Sequence, residues 1–400
     1  MSPRARPARL VTDSERRARL GRRHCLVPEA ATDDIPALTE ALVCLHSSDP
    51  VSVYLSGVAR MRHPSIEAIE TALYDDRSVV RHHAMRRTLW VLTRDMAPAA
   101  HSAATIGIAA VERTRVLGML AGAELGTEPE VWLDHASAAV LGYLREHGPS
   151  SARQVGDALP ELRVRLDVAT GTSSATSFGA HTRVLLQLGF EGQVLRARPP
   201  SWINGQYRYA VADEWIPGGL TGGGSTREAR AVLADRWLHR FGPATSDDLR
   251  WWAGLSVRAV NDALTDIGAV PVALEDGTDA WTAADDLDVV DTADGWVAFL
   301  PALDPTTMGW KRRDWYVDPS FVPALLDRNG NAGPTIWVDG RAVGGWVQRA
   351  SGEIAYELLA DVPKRRQQQI ARAARELEDL IGPTRFSVRF PSPILKRLLA

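Results

Sequence analysis

Four consecutive residues, His46, Ser47, Ser48 and Asp49, carry side chains that can position and activate water. A histidine and a serine two positions apart, at the end of a predicted helix, could hold one water molecule between them. A neutral imidazole, with an ordinary pKa of about 6.5, can accept a proton, and a serine hydroxyl can supply the second hydrogen bond. Asp49 could orient His46 or offset positive charge. The simpler alternative is that serine and aspartate before Pro50 end a helix, as they commonly do.

A second group of residues combines positive charge with a strand-forming pattern. Between Arg77 and Arg94 the chain has five arginines, two histidines and no acidic residue. Residues 78–83 and 87–92 interleave basic with apolar side chains, which predicts the two strands of a hairpin. Such a hairpin suits a nucleic-acid backbone, and a solvated strand face is the alternative. The predicted contacts are Arg81, His83, Arg86 and Arg87.

A basic triplet, Lys311, Arg312 and Arg313, lies between Trp310 and Trp315. These side chains could contact a phosphate or a base, since arginine binds phosphate oxygens through two parallel hydrogen bonds. A surface turn with two core tryptophans explains the pattern equally well. Trp310 and the triplet are therefore further candidate contacts to nucleic acid.

Common catalytic and targeting signals are absent from the sequence. There is no P-loop, no dinucleotide-binding fingerprint and no His-Glu-x-x-His motif. Cys25 and Cys44 match neither a metal-site spacing nor a disulfide framework. The basic N-terminus lacks the apolar core of a secretory signal, and no apolar run reaches about 18 residues. We therefore expect a cytoplasmic protein without a membrane span.

The net charge of −3 hides a strong asymmetry along the chain. Residues 1–30 carry eight arginines against three acids, whereas eight acids lie between Glu275 and Asp294. A near-neutral total therefore does not argue against nucleic-acid binding, which depends on whether the basic segments share one face.

An internal repeat organises the middle of the chain. Leu144-Arg-Glu-His-Gly-Pro-Ser-Ser is followed 94 residues later by Leu238-His-Arg-Phe-Gly-Pro-Ala-Thr. In each copy a helix ends at Gly-Pro, a hydroxyl residue caps a second helix, and a third helix precedes two strand-like runs. Three helices followed by a hairpin predict a winged helix. A glycine-rich joint, residues 217–224, separates the copies.

The two ends of the chain complete the predicted architecture. In the N-terminal part we predict helices with Ile35, Leu38, Leu42 and Leu45 on one face, then over residues 51–61 and 64–74, before the basic hairpin. The last hundred residues predict a small β-rich domain with an Asp339-Gly340 hairpin, a helix over residues 363–381 and a last strand over 386–390. The predicted fold class is thus α+β, with boundaries at 1–125, 126–222, 223–294 and 295–400.

Seven short motifs occur in order along the chain: Leu42-Val-Cys-Leu-His-Ser-Ser-Asp-Pro, Ala59-Arg60, Leu73-Tyr74-x-x-Arg77, Met85-Arg-Arg-Thr-Leu-Trp, Leu300-Pro-Ala-Leu-Asp-Pro, Val338-Asp-Gly-Arg-Ala-Val-Gly and Arg389-Phe-Pro-Ser-Pro. In this order they resemble the AlkZ/YcaQ-like family over nearly the whole chain. The resemblance implies tandem winged helices and a C-terminal β-barrel-like domain, C-shaped around duplex DNA. It implies no metal and no organic cofactor, and a protein that acts as a monomer.

The resemblance also implies a monofunctional DNA glycosylase that excises bulky N-alkylated purines of the N7-alkylguanine type, in some relatives as protection against a self-made genotoxin. Those enzymes carry Gln-x-Gln or Gln-x-Asp where this chain has His46-Ser47-Ser48, so neither catalytic position is retained. The predicted catalytic residues are therefore His46, Ser48 and Asp49, and the predicted partner is duplex DNA with alkylated bases. A non-catalytic DNA-binding protein, such as a regulator or a lesion sensor, is the alternative.

Overall fold

The N-terminal part of the computed structural model, which describes residues 7–168 and 176–400, alternates short helices with short strands. Three of its helices begin where a side-chain oxygen of Thr12, Asp34 or Ser65 accepts the backbone N–H three residues on. The elements are β1 (Leu10–Val11), α1 (Asp13–Arg23), α2 (Ile35–Ala41), β2 (Leu45–His46), α3 (Pro50–Val58), α4 (Ile66–Glu70), β3 (Val79–His83), β4 (Leu89–Thr93), α5 (Met96–Ala100) and α6 (Ile106–Leu120).

Each copy of the internal repeat contains three helices followed by a hairpin, but in the first copy a further pair of strands, not predicted, lies between the second and third helices. Ser151 and Thr245 each form reciprocal hydrogen bonds with the residue three positions on, which fixes the start of the second helix in each copy. The elements are α7 (Pro129–His147), β5 (Ser150–Ser151), α8 (Ala152–Ala158), β6 (Arg165–Val168), β7 (Thr176–Gly179), α9 (Ala180–Phe190), β8 (Val194–Ala197), β9 (Arg208–Val211), α10 (Ala212–Trp215), α11 (Thr226–Phe241), α12 (Ser246–Ala253), α13 (Val257–Asp266), β10 (Val270–Leu274) and β11 (Asp279–Thr282).

The C-terminal part is a four-stranded antiparallel sheet with helices beside it. Its central hairpin turns at Asp339 and Gly340, whose φ angles of 47° and 83° lie in the left-handed region. Its elements are β12 (Val297–Leu300), α14 (Val322–Leu325), β13 (Thr335–Val338), β14 (Arg341–Gln348), β15 (Ile354–Leu358), α15 (Lys364–Ile381) and α16 (Pro393–Leu399). The strand order β12-β13-β14-β15 leaves both edges unjoined within the described residues, so the expected barrel-like closure is not found.

A six-stranded sheet links the N-terminal part to the first copy of the repeat. Its order is β2-β4-β3-β8-β9-β5, and the two hairpins meet where Arg81 of β3 pairs with Arg196 of β8. A separate three-stranded sheet places β1 parallel to β10, with Leu10 opposite Ala273. Each predicted domain boundary falls between two secondary-structure elements. However, the six-stranded sheet combines strands from residues 1–125 and 126–222, and the three-stranded sheet combines strands from residues 1–125 and 223–294. The domain boundaries therefore stay predictions.

Two predicted elements were wrong for identifiable reasons. Helix α2 ends at Ala41, and Val43 has a φ of 61°, which no helix residue adopts, so Leu42 and Leu45 do not continue the helix. Asp49-Pro50 does not close a helix but opens α3, with the proline in the first helical position.

The segment over residues 386–390 is not a strand either. The backbone N–H groups of Phe386 and Arg389 donate to the side chains of Gln348 and Asp49, and not to a neighbouring strand. Helix α16, which the sequence analysis missed, begins shortly afterwards.

A buried ion pair joins the N-terminal part to the segment that follows β12 in the C-terminal part. The Arg60 guanidinium donates to both carboxylate oxygens of Asp304, at 2.7 and 2.9 Å, and both side chains are fully enclosed. Arg60 also donates to the carbonyls of His24 and Ser56, and the hydroxyl of Ser56 donates to Asp304 at 2.7 Å. Because the polar groups bond to one another, the charges tolerate burial.

Removing one partner of this pair should destabilise the fold strongly. We expect Asp304→Ala to lower the free energy of unfolding by about 3–5 kcal/mol, because it leaves a buried guanidinium without a counter-charge. Urea unfolding followed by tryptophan fluorescence measures this change. Asp361→Ala, at an exposed aspartate, is the control and should change it by less than about 0.5 kcal/mol. A loss below about 1 kcal/mol for Asp304→Ala would contradict the expectation.

Candidate active site

The four-residue corner lies between the edge strand of the six-stranded sheet and a helix. His46 ends β2 and pairs with Trp90 of β4, and the backbone N–H of Ser47 donates to the carbonyl of Leu89 at 2.8 Å. Two residues later Asp49 precedes the first turn of α3. The corner therefore lies between a strand and the first turn of a helix. It does not lie at the C-terminal end of a helix, as the sequence analysis expected.

His46 lies behind the surface of the corner. Its ring is 5% exposed and packs edge-on against Trp90, with the ring centroids 4.5 Å apart. Its Nδ1 accepts the backbone N–H of Ser48 at 3.3 Å, so the neutral ring carries its proton on Nε2. Burial, with a smaller contribution from the positive charge of Arg86, lowers the pKa of His46 to about 3. The imidazole is consequently neutral at physiological pH and a weak base.

Asp49 connects the corner to the C-terminal segment. Its carboxylate accepts the backbone N–H of Arg389 at 3.1 Å, and the Arg389 guanidinium donates to the carbonyl of Ser48 at 3.2 Å. Burial raises the pKa of the Asp49 carboxyl, although hydrogen bonds from the backbone of Arg389 and Val51 oppose the rise. Asp49 therefore fixes the corner, and its carboxylate is turned to backbone groups.

A cleft of about 660 Å³ opens beside the corner, and Ser47 and Ser48 form part of its wall. His46 does not line it. Among the described residues that do, none is aspartate or glutamate, whereas four are arginines. These are Arg87, Arg153, Arg196 and Arg389. Such a surface attracts a polyanion, which is the electrostatic requirement for binding a DNA backbone.

The basic hairpin contributes to this cleft only in part. Arg87 lines it and also pairs with Glu112, and His83 lines it with its Nε2 3.1 Å from Arg196. Burial and the nearby Arg196 charge lower the pKa of His83 well below its ordinary value, so the ring stays neutral. Arg81 is buried behind the cleft wall.

Arg86 and Arg313 lie elsewhere, against the same ring. Their guanidinium carbons are 4.6 and 5.3 Å from the centroid of Trp251. This contact attaches the turn of the basic hairpin to α12. Neither arginine lines the cleft.

The remaining members of the tryptophan-flanked triplet are also remote from the cleft. Trp310 is 2% exposed, and its indole N–H donates to the carbonyl of Phe241. Lys311 pairs with Asp247 and Arg312 with Asp276, each at 2.6 Å. The structure thus places Trp310 in the core and neutralises two cations of the triplet, as the surface-turn interpretation expects.

Sequence reasoning missed the cleft residues that come from later segments, among them Arg153, Arg196, Tyr207, Tyr209 and Arg389. The guanidinium carbon of Arg196 is 3.9 Å from the ring centroid of Tyr209, its neighbour on β9. The alternation of polar and aromatic side chains over residues 206–209 was a usable signal. Their position beside the corner depends on the pairing of β3 with β8, which no local pattern reveals.

Comparison with known proteins now identifies the family. A family model described as DNA glycosylase AlkZ-like matches residues 39–380, most of the chain. The chain belongs to the AlkZ-like DNA glycosylase family. The resemblance inferred from the seven motifs is thereby confirmed.

One solved structure similar to this chain is the Streptomyces sahachiroi DNA glycosylase AlkZ. It has a TM-score of 0.70 and 17% sequence identity, over 94% of this chain and 98% of that one. At this identity the likeness shows a shared fold. No curated protein matches the sequence. No helix in the described part of the AlkZ-like chain is long and apolar enough to cross a membrane.

The buried His46 should make the stability of this AlkZ-like protein depend on pH. The folded chain keeps the ring neutral down to about pH 3, whereas the unfolded chain binds a proton near pH 6.5. The free energy of unfolding should therefore fall as the pH drops from about 6.5 towards 3, with His46 contributing up to about 1.4 kcal/mol per pH unit.

Urea unfolding at pH 5, 6 and 7 measures this dependence. His46→Asn retains an acceptor for the Ser48 N–H but does not titrate, so the slope against pH should decrease by the His46 contribution. Val289→Asn, at an exposed side chain that does not titrate, should leave the slope as it is. An unchanged slope in His46→Asn would show that the imidazole takes up protons in the folded chain.

Proposed function

We propose that this chain is a monofunctional DNA glycosylase that hydrolyses the N-glycosidic bond of bulky N-alkylated purines, of the N7-alkylguanine type, in duplex DNA. The observation that carries the proposal is the arginine-lined cleft with Ser48 in its wall, in a chain of the AlkZ-like family. The cleft supplies the affinity for the backbone, and the corner supplies the position for water.

The reaction requires little from the protein. An N7-alkylated guanine already carries positive charge. When the glycosidic bond between the sugar C1′ and the other ring nitrogen breaks, the electron pair of that bond goes to the base and neutralises it. The base then leaves without a general acid. Water adds to C1′ and releases its proton to solvent, which gives an abasic sugar. The protein must place that water and tolerate the developing positive charge on the sugar.

Ser47 and Ser48 both line the cleft, but the Ser47 oxygen already accepts from the Arg81 guanidinium at 3.0 Å, so we assign the contact with this water to Ser48. We assign His46 a positioning role. Its Nδ1 holds the backbone N–H of Ser48, and its low basicity makes it a poor acceptor of the proton from water. Asp49 holds the same loop through Arg389. Together they fix the Ser48 hydroxyl at the cleft surface.

In the proposed complex the DNA backbone follows the cleft. Arg87, Arg153, Arg196 and Arg389 bind phosphates, with His83 beside Arg196. The bound phosphates also offset the charge of the oxocarbenium-like sugar, since no described carboxylate lines the cleft. A bulky adduct need not leave the helix, and this contrasts with glycosylases that flip the base into a deep pocket. Tandem winged helices around the duplex, a monomeric enzyme and a role in genotoxin self-resistance belong to the same proposal.

The second candidate function is DNA binding without catalysis, as a regulator or lesion sensor. The buried position of His46, which does not line the cleft, favours it. In that case the cleft would bind duplex DNA and leave every glycosidic bond intact.

An abasic-site assay separates the two functions. We expect the native protein to generate alkali-labile sites in duplex DNA that carries one N7-alkylguanine. Ser48→Ala and His46→Ala should each lower the single-turnover rate by about 10²-fold, because the water loses its fixed position. His46→Asn keeps the acceptor for Ser48 and should retain a rate within about tenfold of native.

The pH profile distinguishes positioning from proton transfer. Because His46 is neutral above about pH 3, the native rate should show no step near pH 6.5 that is lost in His46→Asn. Such a step would assign His46 the role of a general base. Absence of cleavage on small, bulky and crosslinked adducts, with duplex binding intact, would establish the non-catalytic function.

A further inference from the structure

The Arg81 guanidinium is buried without a carboxylate partner among the described residues. It is 1% exposed, and its Nη2 has no hydrogen-bond partner. Aromatic rings surround it: its central carbon is 5.7, 5.5 and 4.8 Å from the ring centroids of Tyr54, Tyr74 and Tyr207, and it donates to the Tyr74 hydroxyl. A buried cation without a counter-ion is costly, and an anionic ligand nearby would reduce that cost.

Ser47 connects the Arg81 guanidinium to the cleft by a hydrogen bond. Arg81 Nε donates to the Ser47 oxygen at 3.0 Å, so the Ser47 hydroxyl hydrogen remains available for another acceptor. Ser47 lines the cleft, whereas Arg81 does not. A hydroxyl whose oxygen already accepts from a guanidinium is a stronger donor, because successive hydrogen bonds polarise one another.

Tyr207 provides a second hydroxyl against the same cation. Its ring packs on Arg81, its residue lines the same cleft, and its hydroxyl has no partner although it is buried. An unpartnered buried hydroxyl is unfavourable, and a ligand oxygen would satisfy it. Ser47 and Tyr207 thus place two enclosed hydroxyl groups in the wall of the cleft, with one positive charge behind them.

Two donors with a cation behind them suit an anion better than the attacking water. A donor to the water oxygen would withdraw electron density and weaken its attack, whereas an anionic oxygen gains from both donors. We propose that Ser47 and Tyr207, with Arg81 behind them, bind one phosphodiester group of the DNA strand that lies in the cleft. This phosphate subsite rests on the proposed binding of duplex DNA, but it does not require catalysis.

Removing either hydroxyl tests the subsite. We expect Ser47→Ala and Tyr207→Phe to bind an undamaged duplex about tenfold more weakly in fluorescence anisotropy at fixed salt. Tyr54→Phe is the matched control: its ring also packs on Arg81, but it does not line the cleft, so this variant should bind as the native protein does. Native affinity in both Ser47→Ala and Tyr207→Phe would overturn the proposal.

Replacing one phosphate of the DNA by an uncharged methylphosphonate identifies the group that the two hydroxyls contact. Each probe is a duplex with one tetrahydrofuran abasic analogue and one methylphosphonate linkage. From one probe to the next, the methylphosphonate is shifted by one linkage along the strand. At one position the methylphosphonate should weaken binding by the native protein about tenfold. At that position it should not weaken binding by Ser47→Ala or Tyr207→Phe, because these variants have already lost the contact. Losses that add fully at every position would exclude a phosphate contact. Coupling without excision of any alkylated base would retain the subsite and reject the glycosylase activity, so the two failures can be told apart.

Discussion

The ion pair between Arg60 and Asp304 is the constraint on which the rest of the molecule depends. Helix α3 begins at the corner and ends just before Arg60, so fixing its end in the core also fixes its beginning. Along the same helix the hydroxyls of Ser52 and Ser56 donate to the carbonyl of Ala302 and the carboxylate of Asp304. The corner therefore inherits its position from a charge pair at the other end of a nine-residue helix. The C-terminal part of the chain therefore helps to position the site.

At the corner itself, the imidazole and the carboxylate accept hydrogen bonds from backbone N–H groups. His46 accepts from Ser48, and Asp49 accepts from Arg389. The side chains that line the cleft include those of the two serines and of four arginines. This division suits a substrate that brings its own positive leaving group, because the protein needs fixed donors and a polyanion-binding surface more than a strong acid or base.

Local patterns predicted the elements that local forces determine. The alternation in residues 78–83 and 87–92 gave β3 and β4, and the Gly-Pro and hydroxyl signals gave the helices of the repeat. Pattern reasoning failed where a single residue has two uses: Pro50 was taken as a helix end but begins α3. It also could not separate core from surface tryptophans, since Trp310 is buried by contacts with Phe241 that are distant in sequence. The corner was found from residue types, but the cleft beside it arises from β3 meeting β8 and from Arg389 returning to Ser48.

The parallel pairing of β1 with β10 has a consequence for how the chain is made. Leu10 lies opposite Ala273, so this strand cannot complete its sheet until more than 260 further residues have been synthesised. Closing so long a loop carries a large entropic cost and delays the contact relative to the hairpins, whose partners are near neighbours. During translation the strand edge of β1 stays open while the basic hairpin and the first copy of the repeat can already fold. Strand β1 therefore docks only after β10 has been synthesised, later than the basic hairpin and the first copy of the repeat but before the C-terminal sheet is complete.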